Sequence, residues 1–184
     1  DIRNSDYNIK RNWYYNNPNE TSLYGRKCNI TEQTWFSTKS LFPALTKFFY
    51  GREENLSLTG SYKDRMKFRL SETYLLLAEA YLGMGDTERA ADAVNEVRRR
   101  AGATMVDVSD MTMDFLLDER IRELVGEESR RFTLVRTNKL IDRVKAHNTT
   151  IKDKITQRDL LWPIPQAIID SNRDVEFPQN PGYN

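Results

Sequence analysis

The sequence has 184 residues, with 28 lysines and arginines against 27 aspartates and glutamates, one cysteine and one histidine. Proteins that bind nucleic acid carry an excess of basic residues to neutralise its phosphates, and this sequence has no such excess. No apolar run approaches the roughly 18 residues that a membrane-spanning helix needs. A single cysteine excludes an intrachain disulfide and a cysteine-based metal cluster. From the charge balance we expect no nucleic-acid partner. Because the chain has only one cysteine and one histidine, we also expect no catalytic residues, no metal and no cofactor, and hence no enzyme.

Residues 1–66 differ in kind from the rest of the chain. They contain more than half of the aromatic residues, are rich in asparagine, and lack a sustained 3.6-residue apolar period. One short apolar element, around residues 41–50, is interrupted by Pro43. We therefore predict an irregular segment packed on a helical core of residues 67–184, the two forming a single structural unit.

A helix pair is predicted over residues 68–101. Gly83 and Gly85 end the first helix, whose apolar stripe consists of Leu70, Tyr74, Leu77, Ala78, Tyr81 and Leu82. Asp86 caps the second helix, and Gly102 stops it in a left-handed conformation. The apolar face of that helix comprises Ala90, Ala93, Val94, Val97 and Ala101. Because the turn is so short, the two helices must lie antiparallel.

The spacing of small and large residues in this pair is that of a tetratricopeptide repeat (TPR). The matching positions are Ala78, Tyr81, Gly85, Ala90, Val94 and Val97. One such unit cannot bury its faces alone, so further helices must stack on it. The predicted fold class is mainly α, with TPR-like stacked helix pairs, long irregular loops and an extended C-terminal tail.

A second helical region follows a loop at residues 103–110. Thr112 is the predicted N-cap, Gly126 weakens or breaks the helix, and a further helix is expected over residues 127–144. The apolar stripe before the break comprises Leu117, Ile121, Leu124 and Val125. Arginines alternate here with acidic residues, which predicts ion pairs along a polar helix face rather than acid/base carboxylates. Those acidic residues are Glu119, Glu123, Glu127 and Glu128.

The end of the chain is predicted to be extended. Pro163 and Pro165 keep residues 160–165 out of the helical region, and Pro165 suits the start of a short helix over residues 166–171. We assign Trp162 and this proline-rich step to structure. The tail, residues 177–184, has few backbone donors to satisfy and is expected to pack as a clamp with Tyr183 as its anchor.

One segment carries the chemistry of sugar binding, which needs a flat aromatic ring beside groups that hydrogen-bond hydroxyls. Trp13, Tyr14, Tyr15 and Asn16 supply both, and Trp35 adds a further ring. The alternative is that these rings anchor the irregular segment on the helical core. We take these five residues as candidate ligand contacts.

Five motifs carry a family resemblance. In chain order they are the helix at residues 69–81, the stretch 94–102, the acidic and basic stretch 119–132, Trp162-Pro163-Ile164-Pro165, and Gln179-Asn180-Pro181-Gly182-Tyr183. Together they resemble the SusD/RagB family of outer-membrane nutrient-binding lipoproteins, and Asp1-Ile2-Arg3 is similar to the start of that family's C-terminal region. Two departures are modest: Phe132 stands where tryptophan is commoner, and Thr133 where aspartate is usual.

The resemblance implies a cell-surface protein that binds a nutrient and delivers it to a SusC-like, TonB-dependent outer-membrane transporter. Glycans, as oligo- or polysaccharides, are the usual cargo of this family, and peptides are cargo in some members. An N-terminal lipid is the expected membrane anchor, and since no lipobox cysteine is present we expect a C-terminal piece of a longer protein. The alternative function is a TPR-like protein–protein interaction module with no small-molecule ligand.

Overall fold

The computed structural model describes residues 1–31, 41–49, 64 and 66–183. Within this part the chain is mainly helical, as predicted, and divides into two compact units, residues 1–127 and 128–184. The division falls after Glu127 and not near residue 66. No helix among the described residues is long and apolar enough to cross a membrane.

The described residues of the first unit form two short strands and three helices. The strands are β1 (Ile9–Lys10) and β2 (Ala44–Leu45), and the helices are α1 (Leu70–Gly83), α2 (Thr87–Arg100) and α3 (Met113–Leu124). The strands pair antiparallel, with Ile9 opposite Leu45. Short 3-10 turns lie at Ile2–Asn4 and Val108–Asp110. The described part of residues 1–66 is thus largely irregular, as predicted.

Helices α1 and α2 form the predicted antiparallel pair. The turn between them needs Gly85, whose φ of 77° lies in the left-handed region. The Asp86 side chain accepts a hydrogen bond from the Arg89 backbone N–H at 3.0 Å, which caps α2. Ala90 and Ala78 are fully buried, so the helix axes approach closely at these small side chains. Gly102, with φ of 62°, ends α2 as predicted.

The predicted apolar stripe of α1 is partly wrong. Leu75 is fully buried, whereas Leu70 and Leu77 are 68% and 41% exposed. The run Leu75-Leu76-Leu77 places apolar residues at three successive helix angles, so periodicity alone could not select the buried one. The same error occurs on α3, where Leu116 is buried and Ile121 is 47% exposed.

The core of the first unit lies among these three helices. The buried face of α2 is the one predicted, and Thr112 caps α3 by accepting from the Phe115 backbone N–H at 3.1 Å. Side chains from the loop between α2 and α3 complete the packing. The buried apolar residues described outside α2 in this unit are Leu75, Ala78, Ala101, Ala103, Val106, Met111, Leu116, Leu117 and Leu124.

The second unit contains helices α4 (Arg130–Arg136), α5 (Leu140–His147) and α6 (Gln166–Ser171), with a 3-10 turn at Gln157–Leu160. The single helix expected over residues 127–144 is wrong, because the chain breaks at Asn138. Asn138 has φ of 56°, a left-handed conformation that asparagine tolerates better than most residues. The short helix over residues 166–171 is confirmed.

The tail of the second unit is the clamp that the sequence predicts. The Gln179 side-chain amide accepts from the Ile164 backbone N–H at 2.7 Å and donates to the Ile164 carbonyl at 2.8 Å. The Asn180 amide donates to the Trp162 carbonyl, and the Tyr183 hydroxyl donates to the Leu161 carbonyl at 2.9 Å. The extended segment before α6, residues 160–165, therefore forms hydrogen bonds with the tail.

Candidate functional site

Four of the five candidate contacts lie together on one hairpin-like segment. The Tyr15 backbone N–H donates to the Arg26 carbonyl, the Cys28 N–H donates to the Trp13 carbonyl, and Tyr14 bridges to Lys27. The intervening residues form the exposed end of this hairpin. Trp35, the fifth candidate, lies outside the described residues.

The three candidate rings on this hairpin have different surroundings. Tyr14 and Tyr15 are 57% and 41% exposed, while Trp13 is half-buried and has the Lys10 ammonium 4.2 Å from its ring centre. Because successive side chains on a strand alternate, Trp13 and Tyr15 share one face and Tyr14 lies on the other. The hairpin thus offers exposed rings on two faces with the Asn16 amide beside them, while Trp13 also anchors the segment.

The acidic residues of α3 are paired, as predicted, but they are not on a polar surface. Glu119 and Glu123 are 0% and 3% exposed. Glu119 accepts from Arg3 at 2.7 Å, from Arg122 at 2.9 Å and from Arg98. The expected polar helix face is therefore wrong, because arginines from three other segments close over it.

Glu123 occupies the next turn of α3 and has its own set of partners. Arg3 and Arg100 donate to it at 3.1 Å and 2.8 Å, and Arg69 completes the set. Burial by itself would raise the pKa of Glu123, but the hydrogen bond and charge of Arg69, with the charge of Arg100, hold that pKa below its usual value. A carboxylate held in its charged form is a poor proton donor, which argues against an acid role.

We call this cluster the carboxylate hub, defined by Glu119, Glu123 and Glu127 with their cationic partners. Glu127 pairs with Lys47 and Arg69 at 2.5 Å and 2.6 Å. Desolvation lowers the pKa of Arg69, but the hydrogen bonds that it donates to Glu127 and Glu123, together with their charges, raise it overall. The hub joins the start of the chain, both helices of the TPR-like pair and α3. Its ion pairs therefore hold these segments together.

Two adjoining clefts open beside the hub, with volumes of about 470 and 380 Å³. Both are lined by Arg3, Leu45, Arg122 and Val125. Tyr7 and Arg100 line the smaller cleft, whereas Ile9 and Ile121 line the larger. No sequence pattern predicted this site, because nothing in local spacing brings residues 1–9 against the end of α3.

The second unit has an exposed aromatic pair. The rings of Phe132 and Trp162 are 63% and 60% exposed, with centres 6.0 Å apart, and the Arg131 guanidinium lies 5.3 Å from the Trp162 ring centre. The assignment of Trp162 to structure holds for its backbone, because its carbonyl binds Asn180. Its ring remains open to solvent in this unit.

These features define a mainly helical architecture, with a TPR-like helix pair, a carboxylate hub and a proline-rich segment clamped by the tail. The chain belongs to the SusD family, whose sequence model matches residues 2–183. The motifs that carried the resemblance lie within that match.

Individual relatives agree with this assignment. The chain is 30% identical over 128 residues to SusD-like protein P25 of Formosa agariphila, a match covering 66% of this chain and 24% of that protein. It is 33% identical over 108 residues to SusD-like protein P38 of the same organism, covering 53% of this chain and 20% of that one. The solved structure of BT4246 matches with a TM-score of 0.55 and 26% identity, covering 67% of this chain and 24% of BT4246. The chain spans about a quarter of the length of these relatives.

Proposed function

We propose that this chain is part of a cell-surface nutrient-binding protein that binds a glycan and delivers it to a SusC-like, TonB-dependent transporter. The observation that carries the proposal is the match of the SusD family over residues 2–183. Family members of this kind bind their cargo and do not transform it, so the proposed role is non-catalytic. Its proposed location is the outer membrane, with attachment through an N-terminal lipid.

The hairpin at residues 13–16 is the proposed glycan contact. Tyr14 and Tyr15 expose aromatic rings that can stack on the C–H face of a sugar, and the neighbouring Asn16 amide can hydrogen-bond its hydroxyls. Trp13 supports the hairpin from its half-buried position. Trp35 remains a proposed contact on its chemistry alone.

The carboxylate pairing supports the non-catalytic role. A glycosidase needs one carboxyl group that carries a proton and one that is free to act as a base or nucleophile. Glu119 and Glu123 are instead buried, and each is paired with at least two guanidinium groups. We expect Glu119→Gln and Glu123→Gln to change stability and to alter no hydrolysis.

The alternative, a TPR-like interaction module, has one observation in its favour. Leu70, Leu76 and Leu77 are each more than 40% exposed on α1. An exposed leucine face suits further stacked helices or a protein partner. A protein that binds no saccharide but is captured by a peptide or protein through this face would favour the alternative.

Two experiments test the proposal. Affinity electrophoresis of the chain against a panel of neutral and acidic polysaccharides should show retardation by at least one of them, and no retardation by any would contradict the glycan role. Co-purification from the native outer membrane should recover a TonB-dependent transporter with the full-length protein. Recovery of the protein without such a transporter would contradict the partner.

A further inference from the structure

The carboxylate hub has more cations than its acidic residues neutralise. Within the described residues, six cationic side chains converge on Glu119 and Glu123 of α3 and on Glu127 just after it, and Asp1 adds a fourth carboxylate through Arg3. The surplus is two positive charges. The six cations are Arg3, Lys47, Arg69, Arg98, Arg100 and Arg122.

The most exposed positive charges of the hub lie at the smaller cleft. Arg3 and Arg98 have side chains only 12% and 13% exposed, whereas those of Arg100 and Arg122 are 57% and 43% exposed. Both of these exposed arginines line the 380 Å³ cleft. Arg100 uses a single nitrogen, Nη2, to contact both oxygens of Glu123, and Arg122 uses Nη1 to contact Glu119. Each guanidinium group carries further donors besides the one engaged.

The carboxylate partners of the two arginines both lie on α3. Glu119 and Glu123 are four residues apart, so they lie on one helix face at a separation of about 6 Å. The carbonyl of Glu123 at the end of α3 would oppose an anion, but Lys47 and Arg69 donate to it at 2.9 and 2.7 Å. The site therefore presents two arginines, and the glutamates nearest to them are already hydrogen-bonded.

The remaining lining suits a sugar rather than a bare ion. Tyr7 is 83% exposed at the smaller cleft, where its ring can stack on a pyranose face. Leu45 and Val125 provide apolar contacts in both clefts. Asp1 lines only the larger cleft, and Glu123 and Glu127 line the smaller one. Both glutamates of the smaller cleft are already paired with cationic side chains, which leaves Arg100 and Arg122 as its exposed charges.

We propose that the smaller cleft binds an acidic glycan, with Arg100 and Arg122 holding a carboxylate or sulfate group of the sugar and Tyr7 stacking on its ring. This inference rests on the proposed glycan-binding function and names its substrate class. Charge-assisted hydrogen bonds from two guanidinium groups give a preference for acidic over neutral saccharides. The chemistry is shared by uronic acids and sulfated sugars, so the test must separate the two.

The test is calorimetric titration of the whole chain with four probes: oligogalacturonide, sulfated galactan oligosaccharide, neutral malto-oligosaccharide and poly-L-glutamate. We expect at least one acidic saccharide to bind tenfold or more tightly than the neutral one, with affinity falling as salt is raised. Whichever acidic probe binds more tightly identifies the group, carboxylate or sulfate. Equal binding of the neutral saccharide, or binding of poly-L-glutamate as tight as that of the saccharide, would overturn the proposal.

Matched variants distinguish binding in the smaller cleft from non-specific attraction to the positive charge of the chain. Arg100→Gln with Arg122→Gln should weaken binding of the acidic saccharide at least tenfold, while Arg100→Lys with Arg122→Lys retains a measurable part of it. The control, Arg89→Gln with Arg99→Gln, removes the same charge from two exposed arginines that pair with Asp86 and Glu96. An equal loss in the control would overturn the proposal. Thermal melting of every variant checks the fold, and the Arg100→Gln single variant serves if the double variant unfolds.

The result also separates this inference from the proposed function. A chain that binds neutral glycans through the hairpin at residues 13–16, with no preference for acidic ones, would overturn the acidic cleft and leave the glycan role standing. A chain that binds no saccharide of any kind would overturn both.

Discussion

Arg3 Nη1 lies 2.7 Å from Glu119 Oε1, although the two residues are 116 positions apart in the chain. The same nitrogen is 3.1 Å from Glu123, one turn further along α3. Nearby, the Ile2 backbone N–H donates to the Ala101 carbonyl at 2.9 Å. The beginning of the chain is thus fastened to the helices by a buried charge contact and a backbone bond. The stability of the first unit should therefore depend on the carboxylate hub.

Glu123→Gln should destabilise the first unit strongly. The substitution leaves Arg3, Arg69 and Arg100 around a neutral amide, and removing one partner of a buried ion pair costs about 3–5 kcal/mol. Urea unfolding followed by circular dichroism measures the free energy. The control is Glu96→Gln, which breaks the exposed pair with Arg99 and should cost no more than about 1 kcal/mol. Equal losses for the two variants would contradict a stabilising hub.

Stability should fall in acid in a way that depends on Glu123. Its folded-state pKa is lower than the ordinary value of 4.5, so the stability it contributes is complete above that value and is lost as the pH falls through the lowered pKa. We expect a flat unfolding free energy between pH 7 and about 5 and a decline below about 4.5. The decline should be shallower in Glu123→Gln. Asp86 and Asp159, whose pKa values are also lowered, account for the part that remains.

Gly126→Ala should cost more than Gly85→Ala. Both glycines have φ of 77°, so an alanine at either is strained to a similar degree, by about 1 kcal/mol. At Gly126 a Cβ would also lie 2.5 Å from Phe48 Cε2, whereas nothing lies within 4 Å at Gly85. Comparing unfolding free energies isolates the Phe48 contact. If Phe48→Ala does not reduce the penalty of Gly126→Ala, the contact is not its cause.

Gln179→Ala should loosen the clamp of the second unit. The substitution leaves the Ile164 N–H and carbonyl without their amide partner, at a cost of about 1–3 kcal/mol if they stay out of water. Hydrogen exchange at the Ile164 amide should accelerate accordingly. Gln179→Glu can accept from this N–H but cannot donate to the carbonyl, so its effect should be intermediate. Gln166→Ala, which removes only an exposed bond to Asp170, should leave the exchange rate unchanged.

The elements that sequence could predict are those set by local chemistry. The turn at Gly85, the caps at Asp86 and Thr112, and the short helix at residues 166–171 each depend on residues within a few positions of one another. The alanine and valine face of α2 was predictable because the other face is almost entirely polar. The proline-rich composition of the tail and its Tyr183 predicted the clamp, although not its partners, which lie 15 positions from Gln179 and 22 from Tyr183.

What escaped prediction depends on contacts distant in the chain. The three leucines at 75–77 are equally apolar, and only the position of α2 and α3 determines that Leu75 is buried. Glu119 and Glu123 look like surface residues until Arg3 and Arg69 are placed beside them. The cleft beside them is assembled from residues 1–9, 44–47 and the end of α3, so no local pattern could reveal it.

The central claim is that this chain binds a glycan through the hairpin that carries Trp13, Tyr14 and Tyr15. Its most direct test is calorimetric titration of the triple alanine variant with the neutral polysaccharide that the unaltered chain binds most tightly, because acidic saccharides are proposed to bind in the smaller cleft. Loss of three rings should weaken binding at least tenfold, since each stacking contact contributes about 0.5–1.5 kcal/mol. Phe68→Ala, which removes an 85% exposed ring outside the hairpin, should leave affinity unchanged. Unchanged affinity in a folded triple variant would contradict the claim.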